Sequence, residues 1–183
     1  EGVFGLVETM EDSMAELQAR VLLQGPIQLF EHFKTSLLLK QGGVVNVSSI
    51  AAEIPVPGFS IYSSMKAGLS QFSRGLMVEC QDKGLQVVDL QLGDFRTAFN
   101  EHAIHASHTS DREKALWLHI EKHLRNGADP RLAGHRLMKI LECGDSGTFR
   151  VGDFFQTRVA IWGKRWLPSS LMRLAVRRYY GIS

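Results

Sequence analysis

The sequence of 183 residues predicts an α/β protein built on a parallel sheet. Short apolar runs rich in β-branched residues, at 43–47 and 85–92, are typical of strands buried on both faces. Longer stretches with helical periodicity separate these runs, as the crossover connections of a parallel sheet require. Because 44% of the residues are hydrophobic and 22% are charged, the chain can bury a core of single-domain size.

The first long periodic stretch predicts a helix from Met14 to about Leu39. Thr9 is the expected N-cap, because its hydroxyl can accept a hydrogen bond from a free backbone N–H. Gly42 and Gly43 are expected to end the helix and to lead into a strand at 43–47.

A loop at 55–58 precedes a second predicted helix, from about Tyr62 to Gln81. An apolar stripe on this helix predicts packing on the sheet, with a partner subunit as the alternative; its members are Met65, Leu69, Phe72 and Leu76. A turn at 82–84 and a strand at 85–92 follow. Another helix is expected from Asp129-Pro130, and 148–152 is the predicted final strand.

A serine, a tyrosine and a lysine stand at a spacing that suits proton transfer. Ser49 precedes Tyr62 by thirteen residues, and Lys66 follows Tyr62 by four. Residues four apart share one face of a helix. A phenol titrates near ~10 in water, but an ammonium close by favours the phenolate and lowers its pKa. Such a pair can move a proton to or from an alcohol.

At these residues the chain resembles the short-chain dehydrogenase/reductase family. The resemblance lies in NVSS at 46–49, in YSSMK at 62–66 and in VVDLQLGDFRT at 87–97. It implies a Rossmann-like, doubly wound parallel sheet. It also implies three catalytic roles: Tyr62 as acid and base, Lys66 lowering the tyrosine pKa and holding the cofactor ribose, and Ser49 positioning the substrate oxygen. The alternative is a surface Tyr–Lys pair beside helix-capping serines.

The resemblance implies NAD or NADP as the cofactor. The segment LQLGDFRTAF is similar to the family's Pro-Gly-x-Val-x-Thr element. By this resemblance, Gly93 lets the backbone pass close to the nicotinamide, the Phe95 backbone meets the carboxamide, and Thr97 hydrogen-bonds it. Thr97 can equally act as a helix N-cap. Leu92 stands where the family has proline, which leaves this turn less fixed.

Two departures from the family pattern concern the cofactor and the proton relay. The family's glycine-rich pyrophosphate turn is not found, and the opening EGVFGLVETMEDS is similar to the stretch after the family's fourth strand. We therefore expect a partial fold that lacks the first strands. Leu22 occupies the place where the resemblance implies a catalytic asparagine. Because Pro26 has no N–H, we expect a kink with the Leu22 carbonyl holding the relay water; otherwise the relay is missing.

Residues 94–127 are implied to form a loop and helix that cover the substrate. The candidates for an apolar pocket are Phe95, Phe99, Ile104 and Trp117, with ordinary core packing as the default expectation for each. His119 and His123 have a spacing that can bind a metal, but no third ligand is evident, so no metal site is predicted.

The tail at 164–183 is basic and aromatic. It can dock on the substrate entrance, which we favour, or lie on an anionic membrane surface. The net charge of +2 does not indicate a basic surface for binding nucleic acid. No signal peptide or membrane-length apolar run is visible, and Cys80 and Cys143 are expected to be reduced thiols, so a cytoplasmic location is expected. The resemblance implies a homodimer or homotetramer.

The predicted function is an NAD(P)-dependent oxidoreductase that interconverts a secondary alcohol and a ketone. Its expected substrate is small and apolar, in the manner of a steroid, a retinoid or another lipid. The alternative is a non-catalytic relative or a fragment that serves as a dimerisation or binding module. The set of Ser49, Tyr62 and Lys66 favours the first, whereas Leu22 and the absent glycine turn favour the second. The residues 1–183 are treated as one partial catalytic domain.

Overall fold

The computed structural model describes residues 2–98, 103–105 and 110–182. Its main sheet has three parallel strands in the order β2 (Gly43–Ser49), β3 (Gln86–Leu92) and β5 (Gly147–Val151). A second sheet pairs β1 (Val3–Phe4) with β4 (Ile104–His105), also in parallel. The predicted α/β fold with a partial parallel sheet is confirmed.

Helices separate the strands of the main sheet. Those in the described residues are α1 (Asp12–Ala19), α2 (Gly25–Leu39), α3 (Ser60–Glu79), α4 (Asp111–Arg125), α5 (Arg131–Cys143), α6 (Ile161–Trp166) and α7 (Ser169–Tyr179). Helix α3 connects β2 to β3, and α4 and α5 lie between β3 and β5 in the chain. This alternation is the one that a parallel sheet requires.

The register of the three strands sets the location of the site. Ser49 pairs with Leu92, and Leu92 pairs with Val151. The last residues of β2 and β3 therefore lie side by side with the end of β5. In open parallel sheets the loops after these ends form the ligand crevice.

The core lies on both faces of β3. Val87, Val88 and Leu90 are buried. Val87 packs with Phe30 of α2 in one apolar cluster, and Val88 belongs to a second cluster with Val151. A central strand covered on both faces is typically a continuous apolar run, as in the sequence.

The start of the first helix differs from the prediction. Helix α1 begins at Asp12, with Glu11 in the N-cap position, so Thr9 as the N-cap was wrong. The Thr9 hydroxyl instead donates to the Leu6 carbonyl and to the carboxylate of Glu113. A partner distant in the chain therefore replaces the local cap.

The predicted continuous helix is interrupted. Residues Arg20–Gln24 form a π-helical segment between α1 and α2, in which the Gly25 N–H donates to the Arg20 carbonyl. The π-helical segment lies just before Pro26, where a kink was expected. The kink itself stays a prediction. Helix α2 ends at Leu39, as predicted.

Other boundaries shift by about one turn or less. Gln41, with a φ of 48°, makes the turn that precedes β2. The strand continues to Ser49 because its last residues pair with β3, and α3 begins two residues before Tyr62. Element ends are the least determined part of a pattern, because end residues fray.

Apolar side chains remain exposed beside the free edge of β2. We call this surface the open face; its members are Val21, Leu29, Phe33 and Val47. They lie along the π-helical segment, α2 and β2. Within the described residues, the helices are too short or too polar to span a bilayer.

Candidate active site

The three predicted catalytic residues line one cavity at the carboxyl end of the sheet. Ser49 is the last residue of β2, and Tyr62 and Lys66 lie on successive turns at the start of α3. The cavity has a volume of about 390 Å³ and also contains Gly93 and Asp94 in its wall. The structure thus brings the sequence motif together at the crevice where parallel sheets bind ligands.

Ser49 is held by the backbone and contacts the tyrosine. Its Oγ accepts a hydrogen bond from the Ala51 N–H at 3.1 Å and donates to the Leu92 carbonyl at 3.3 Å. A hydrogen bond also joins its side chain to Tyr62. A substrate oxygen that approaches these two hydroxyls can be bound by both.

The ionisation of Tyr62 differs from the expectation. Burial raises the pKa of Tyr62, the hydrogen bond with Ser49 lowers it, and the charge of Asp94 raises it further, with a net increase. The Lys66 Nζ lies 5.7 Å from the centre of the tyrosine ring and donates to the Val47 carbonyl at 2.8 Å. Burial lowers the pKa of Lys66 as well. In this arrangement desolvation of the phenol outweighs any attraction to the lysine.

Gly93 follows β3 and lies close to the loop after β5. Its N–H donates to the Val151 carbonyl at 2.9 Å. A Cβ at this position would stand 2.7 Å from the Gln156 Oε1. The backbone therefore passes close to the loop after β5, and it faces the cavity.

Phe95 and Thr97 continue this turn. The ring of Phe95 is buried. On either side of it the backbone bonds to Ala128 in a parallel bridge: the Asp94 carbonyl accepts from the Ala128 N–H, and the Arg96 N–H donates to the Ala128 carbonyl. Because backbone groups alternate in direction, the N–H and carbonyl of Phe95 point the other way. Thr97 is exposed at the cavity rim. Its alternative role as a helix N-cap involves residues 99–102, which lie outside the described residues.

The turn after Ser49 is tied down by Glu53. Arg74, Lys164 and Gln91 all donate to its carboxylate, from α3, α6 and β3. Burial raises the pKa of Glu53, but these three hydrogen bonds lower it, to about 2. The carboxylate therefore joins the loop that carries the catalytic serine to three other elements.

A second buried carboxylate lies under the site. Asp89 of β3 is fully buried and accepts hydrogen bonds from the hydroxyls of Ser48, Ser70 and Thr148. Gln91 joins it to the Glu53 group. These polar residues break the apolar run of β3, and their buried groups are satisfied by each other, as buried polar groups must be.

Several residues of the cavity were not predicted from the sequence. Asp94, His123, Tyr179 and Tyr180 all contribute to its wall. His123 Nε2 lies 3.2 Å from His119 Nε2, and its Nδ1 lies 3.3 Å from the Tyr179 hydroxyl. Burial lowers the pKa of His123, and so does His119, whereas Asp94 raises it. Among the described residues no group of three possible metal ligands occurs.

Signals for these residues were weak. Asp94 appeared in the sequence only as the variable residue of the glycine–threonine element, and the two tyrosines lie in the C-terminal tail, far along the chain from Ser49, Tyr62 and Lys66. The C-terminal tail does cover the site, as favoured, because Tyr179 and Tyr180 border the cavity.

The predicted apolar pocket residues separate into two groups. Phe95 lines the cavity. Trp117 packs on Phe4 and Phe59, so core packing holds for it instead. Ile104 lies in β4, and Phe99 lies outside the described residues.

Leu22, at the family's asparagine position, lines the same cavity as Lys66. It belongs to the π-helical segment Arg20–Gln24. Such segments are frequent at functional sites. The relay water on the Leu22 carbonyl stays a prediction.

Comparison with known proteins agrees with this geometry. The family model described as short chain dehydrogenase matches residues 3–107. The 3-ketodihydrosphingosine reductase of Bacteroides thetaiotaomicron is 28% identical over 99% of this chain and 70% of its own length.

Solved structures show the same fold. A short-chain dehydrogenase from Streptomyces avermitilis matches with a TM-score of 0.77 and 20% identity, over 99% of this chain and 65% of its own. The alcohol dehydrogenase of the archaeon Thermococcus sibiricus, complexed with 5-hydroxy-NADP, matches with a TM-score of 0.65 and 17% identity. That match covers 84% of this chain and 60% of the archaeal one, so this chain spans less than two thirds of either solved structure. With more than half of its residues in the family match and its serine, tyrosine and lysine in one cavity, this chain belongs to the short chain dehydrogenase family.

Proposed function

We propose that this chain forms the catalytic part of an NAD(P)-dependent oxidoreductase that interconverts a secondary alcohol and a ketone. The observation that carries the proposal is the hydrogen bond between Ser49 and Tyr62 beside Lys66 in one cavity. A hydroxyl that orients the substrate and a phenol that moves its proton are the two groups that carbonyl reduction needs.

In the reducing direction Tyr62 donates its phenolic proton to the carbonyl oxygen. The raised pKa keeps the phenol protonated at neutral pH and therefore ready to act as the acid. Ser49 donates a hydrogen bond to the same oxygen. Lys66 then stabilises the phenolate by turning from the Val47 carbonyl toward Tyr62 and the cofactor ribose. NAD or NADP supplies or accepts the hydride when bound.

The residues around the turn after β3 fit a nicotinamide. Gly93, Phe95 and Thr97 line the catalytic cavity, so the Phe95 N–H and the Thr97 hydroxyl can bind the carboxamide of a nicotinamide there. The archaeal relative is a complex with a nicotinamide cofactor derivative. These observations support NAD or NADP as the cofactor.

The lining of the cavity supports an apolar substrate. Leu22, Val56, Phe59, Ile120 and Leu124 form much of its wall. The name of the Bacteroides relative, a reductase of a ketodihydrosphingosine, is that of an enzyme for a lipid ketone. We therefore assign a small apolar alcohol or ketone to this chain.

A homodimer or homotetramer and a cytoplasmic location belong to the same proposal. Exposed apolar side chains on α2 and α3, such as Leu29, Phe33 and Val78, supply a surface for a partner. Contact of the tail with a membrane surface is the less favoured arrangement.

Replacement of the proposed acid tests the proposal. In the protein at its natural length, Tyr62→Phe is expected to lower kcat/KM by about 10²–10⁴-fold, since only the transferring proton is lost. Binding of NADH or NADPH, followed by fluorescence, should be unchanged. Tyr180→Phe removes a hydroxyl beside the same cavity and is the matched control, with turnover near that of the unaltered protein. Wild-type turnover in Tyr62→Phe would contradict the mechanism.

A further inference from the structure

Asp94 differs from the other strongly perturbed carboxylates of the described residues. It lies in the wall of the catalytic cavity, and its Oδ2 accepts a hydrogen bond from Gln156. Among the described residues no arginine or lysine forms an ion pair with it, and its Oδ1 has no hydrogen bond. A partly buried carboxylate short of donors is costly unless a ligand supplies the missing charge.

The pKa of Asp94 is raised, whereas the pKa values of Glu53, Glu113 and Asp129 are lowered. Hydrogen bonds lower the pKa of Glu53 and of Glu113 to about 2 against burial, and Arg131 does the same for Asp129. For Asp94, burial raises the pKa, and Asp153 adds to this, while Gln156 and His123 only partly oppose it. Acidic groups of this kind in a cleft mark functional positions.

Asp94 lies in the same cavity wall as Ser49 and Tyr62. Its chain neighbour two residues before, Leu92, accepts the hydrogen bond from Ser49, and the charge of Asp94 raises the pKa of Tyr62. A substrate held by Ser49 and Tyr62 therefore lies in a cavity that this carboxylate borders.

A second cavity of about 300 Å³ opens from the same point. Ser49 and Asp94 belong to its wall as well as to that of the catalytic cavity. It runs between the π-helical segment Phe155–Ala160 with α6 on one side and α7 on the other. Its far wall is apolar and includes Val159, Leu167, Met172 and Val176. A cavity with an apolar wall of this kind suits a hydrocarbon chain.

We infer that Asp94 binds a protonated amine next to the reacting carbon, and that the second cavity holds the hydrocarbon chain of the same substrate. The substrate class is thus a long-chain amino ketone or amino alcohol. This inference rests on the proposed oxidoreductase function, which it makes specific. Asp94 acts here as a specificity residue, because an ammonium group supplies the charge and the donors that its carboxylate lacks.

A pair of ketones tests the role of Asp94 in the protein at its natural length. One is a saturated long-chain ketone with a primary amine on the adjacent carbon, and the other carries a hydroxyl in place of the amine. We expect kcat/KM for the amino ketone to exceed that for the neutral ketone by about 30-fold or more. In Asp94→Asn this ratio should fall to within about 3-fold, chiefly through KM; any effect on Tyr62 changes turnover of both ketones alike and cancels in the ratio.

Matched variants keep the result clear. Asp153→Asn changes a neighbouring aspartate outside both cavities, retains its oxygen for the Phe155 N–H, and should keep the full ratio. Asp94→Glu keeps the carboxylate and should keep part of the ratio. Thermal melting checks that Asp94→Asn is folded, and inhibition by a long-chain primary amine, compared with its alcohol, measures recognition without turnover.

The chain subsite has its own test. Ala160→Phe fills the second cavity and should lower kcat/KM for the long-chain amino ketone about 10-fold or more, but leave a four-carbon amino ketone unaffected.

The outcomes separate the inference from the function. Equal turnover of both ketones by the unaltered protein, or an equal loss on both in Asp94→Asn, overturns the inference while the oxidoreductase stands. No turnover of either ketone, with no preference for the amine inhibitor, overturns both.

Discussion

At the scale of single residues, Ser49 is placed by the backbone and not by neighbouring side chains alone. The Ala51 N–H and the Leu92 carbonyl fix its Oγ from two sides. Tyr62 then approaches it from the first turn of α3. The geometry of this pair depends on strand pairing between β2 and β3, which is why a serine at the end of the strand can act with a tyrosine thirteen residues later.

Ser49→Ala should lower turnover by about 10²–10³-fold, because the substrate oxygen loses a positioned donor. Steady-state kinetics on the protein at its natural length gives the measurement. Ser63→Ala is the matched control, since the buried hydroxyl of Ser63 has no hydrogen-bond partner among the described residues and its loss should leave turnover unchanged. If Ser49→Ala changed only the melting temperature, Ser49 would be a cap of the turn that follows it.

At the scale of elements, Glu53 joins four pieces of the fold. Its own turn follows β2, and its partners come from α3, β3 and α6. Lys164 is 111 residues away along the chain. The carboxylate therefore holds the C-terminal helices over the site, where Tyr179 and Tyr180 close the cavity.

Glu53→Gln is expected to destabilise the protein on the order of 1–3 kcal/mol at pH 7, because charge-assisted hydrogen bonds are lost. The folded pKa of Glu53 is about 2, against an ordinary value of 4.5. Its stabilising contribution is therefore present above pH 4.5 and is lost as the pH falls toward 2. Denaturant unfolding at pH 7 and at pH 3 measures the change.

The difference between Glu53→Gln and the unaltered protein should shrink at the lower pH. Glu79→Gln, on an exposed glutamate at the end of α3, should show little difference at either pH. A constant difference between pH 7 and pH 3 would mean that Glu53 acts through packing and not through its charge.

At the scale of the whole molecule, the open face is an exposed apolar surface beside a strand edge. Leu29 and Phe33 of α2 are 62% and 51% exposed, and β2 has no neighbouring strand on their side within the described residues. Exposed apolar patches and free strand edges promote association.

We therefore expect the 183-residue chain on its own to self-associate. Size-exclusion chromatography with light scattering measures its mass at several concentrations. A double substitution of Leu29→Lys and Phe33→Glu should shift the chain toward the monomer. Leu118→Lys, on an equally exposed residue of α4, is the control and should not. A stable monomer at all concentrations would show that the open face does not drive self-association.

The sequence by itself determined the elements that depend on local order. Apolar periodicity gave the strands β2 and β3 and the helix α3, with ends displaced by two residues or so. The spacing of Ser49, Tyr62 and Lys66 predicted one site, because strand and helix geometry convert fixed separations into fixed directions. Pro26 predicted the irregular helix for the same local reason.

Tertiary structure alone decided the contacts between distant residues. Thr9 was expected to be a local helix cap, but its hydroxyl donates to the carboxylate of Glu113. Trp117 was a candidate for the substrate pocket, but its ring packs against Phe4 in the core. Asp94 borders two cavities whose walls the C-terminal helices complete, and the sequence alone does not show this. A sequence pattern records which face of an element is apolar, whereas the partner of that face is chosen by packing of the whole chain.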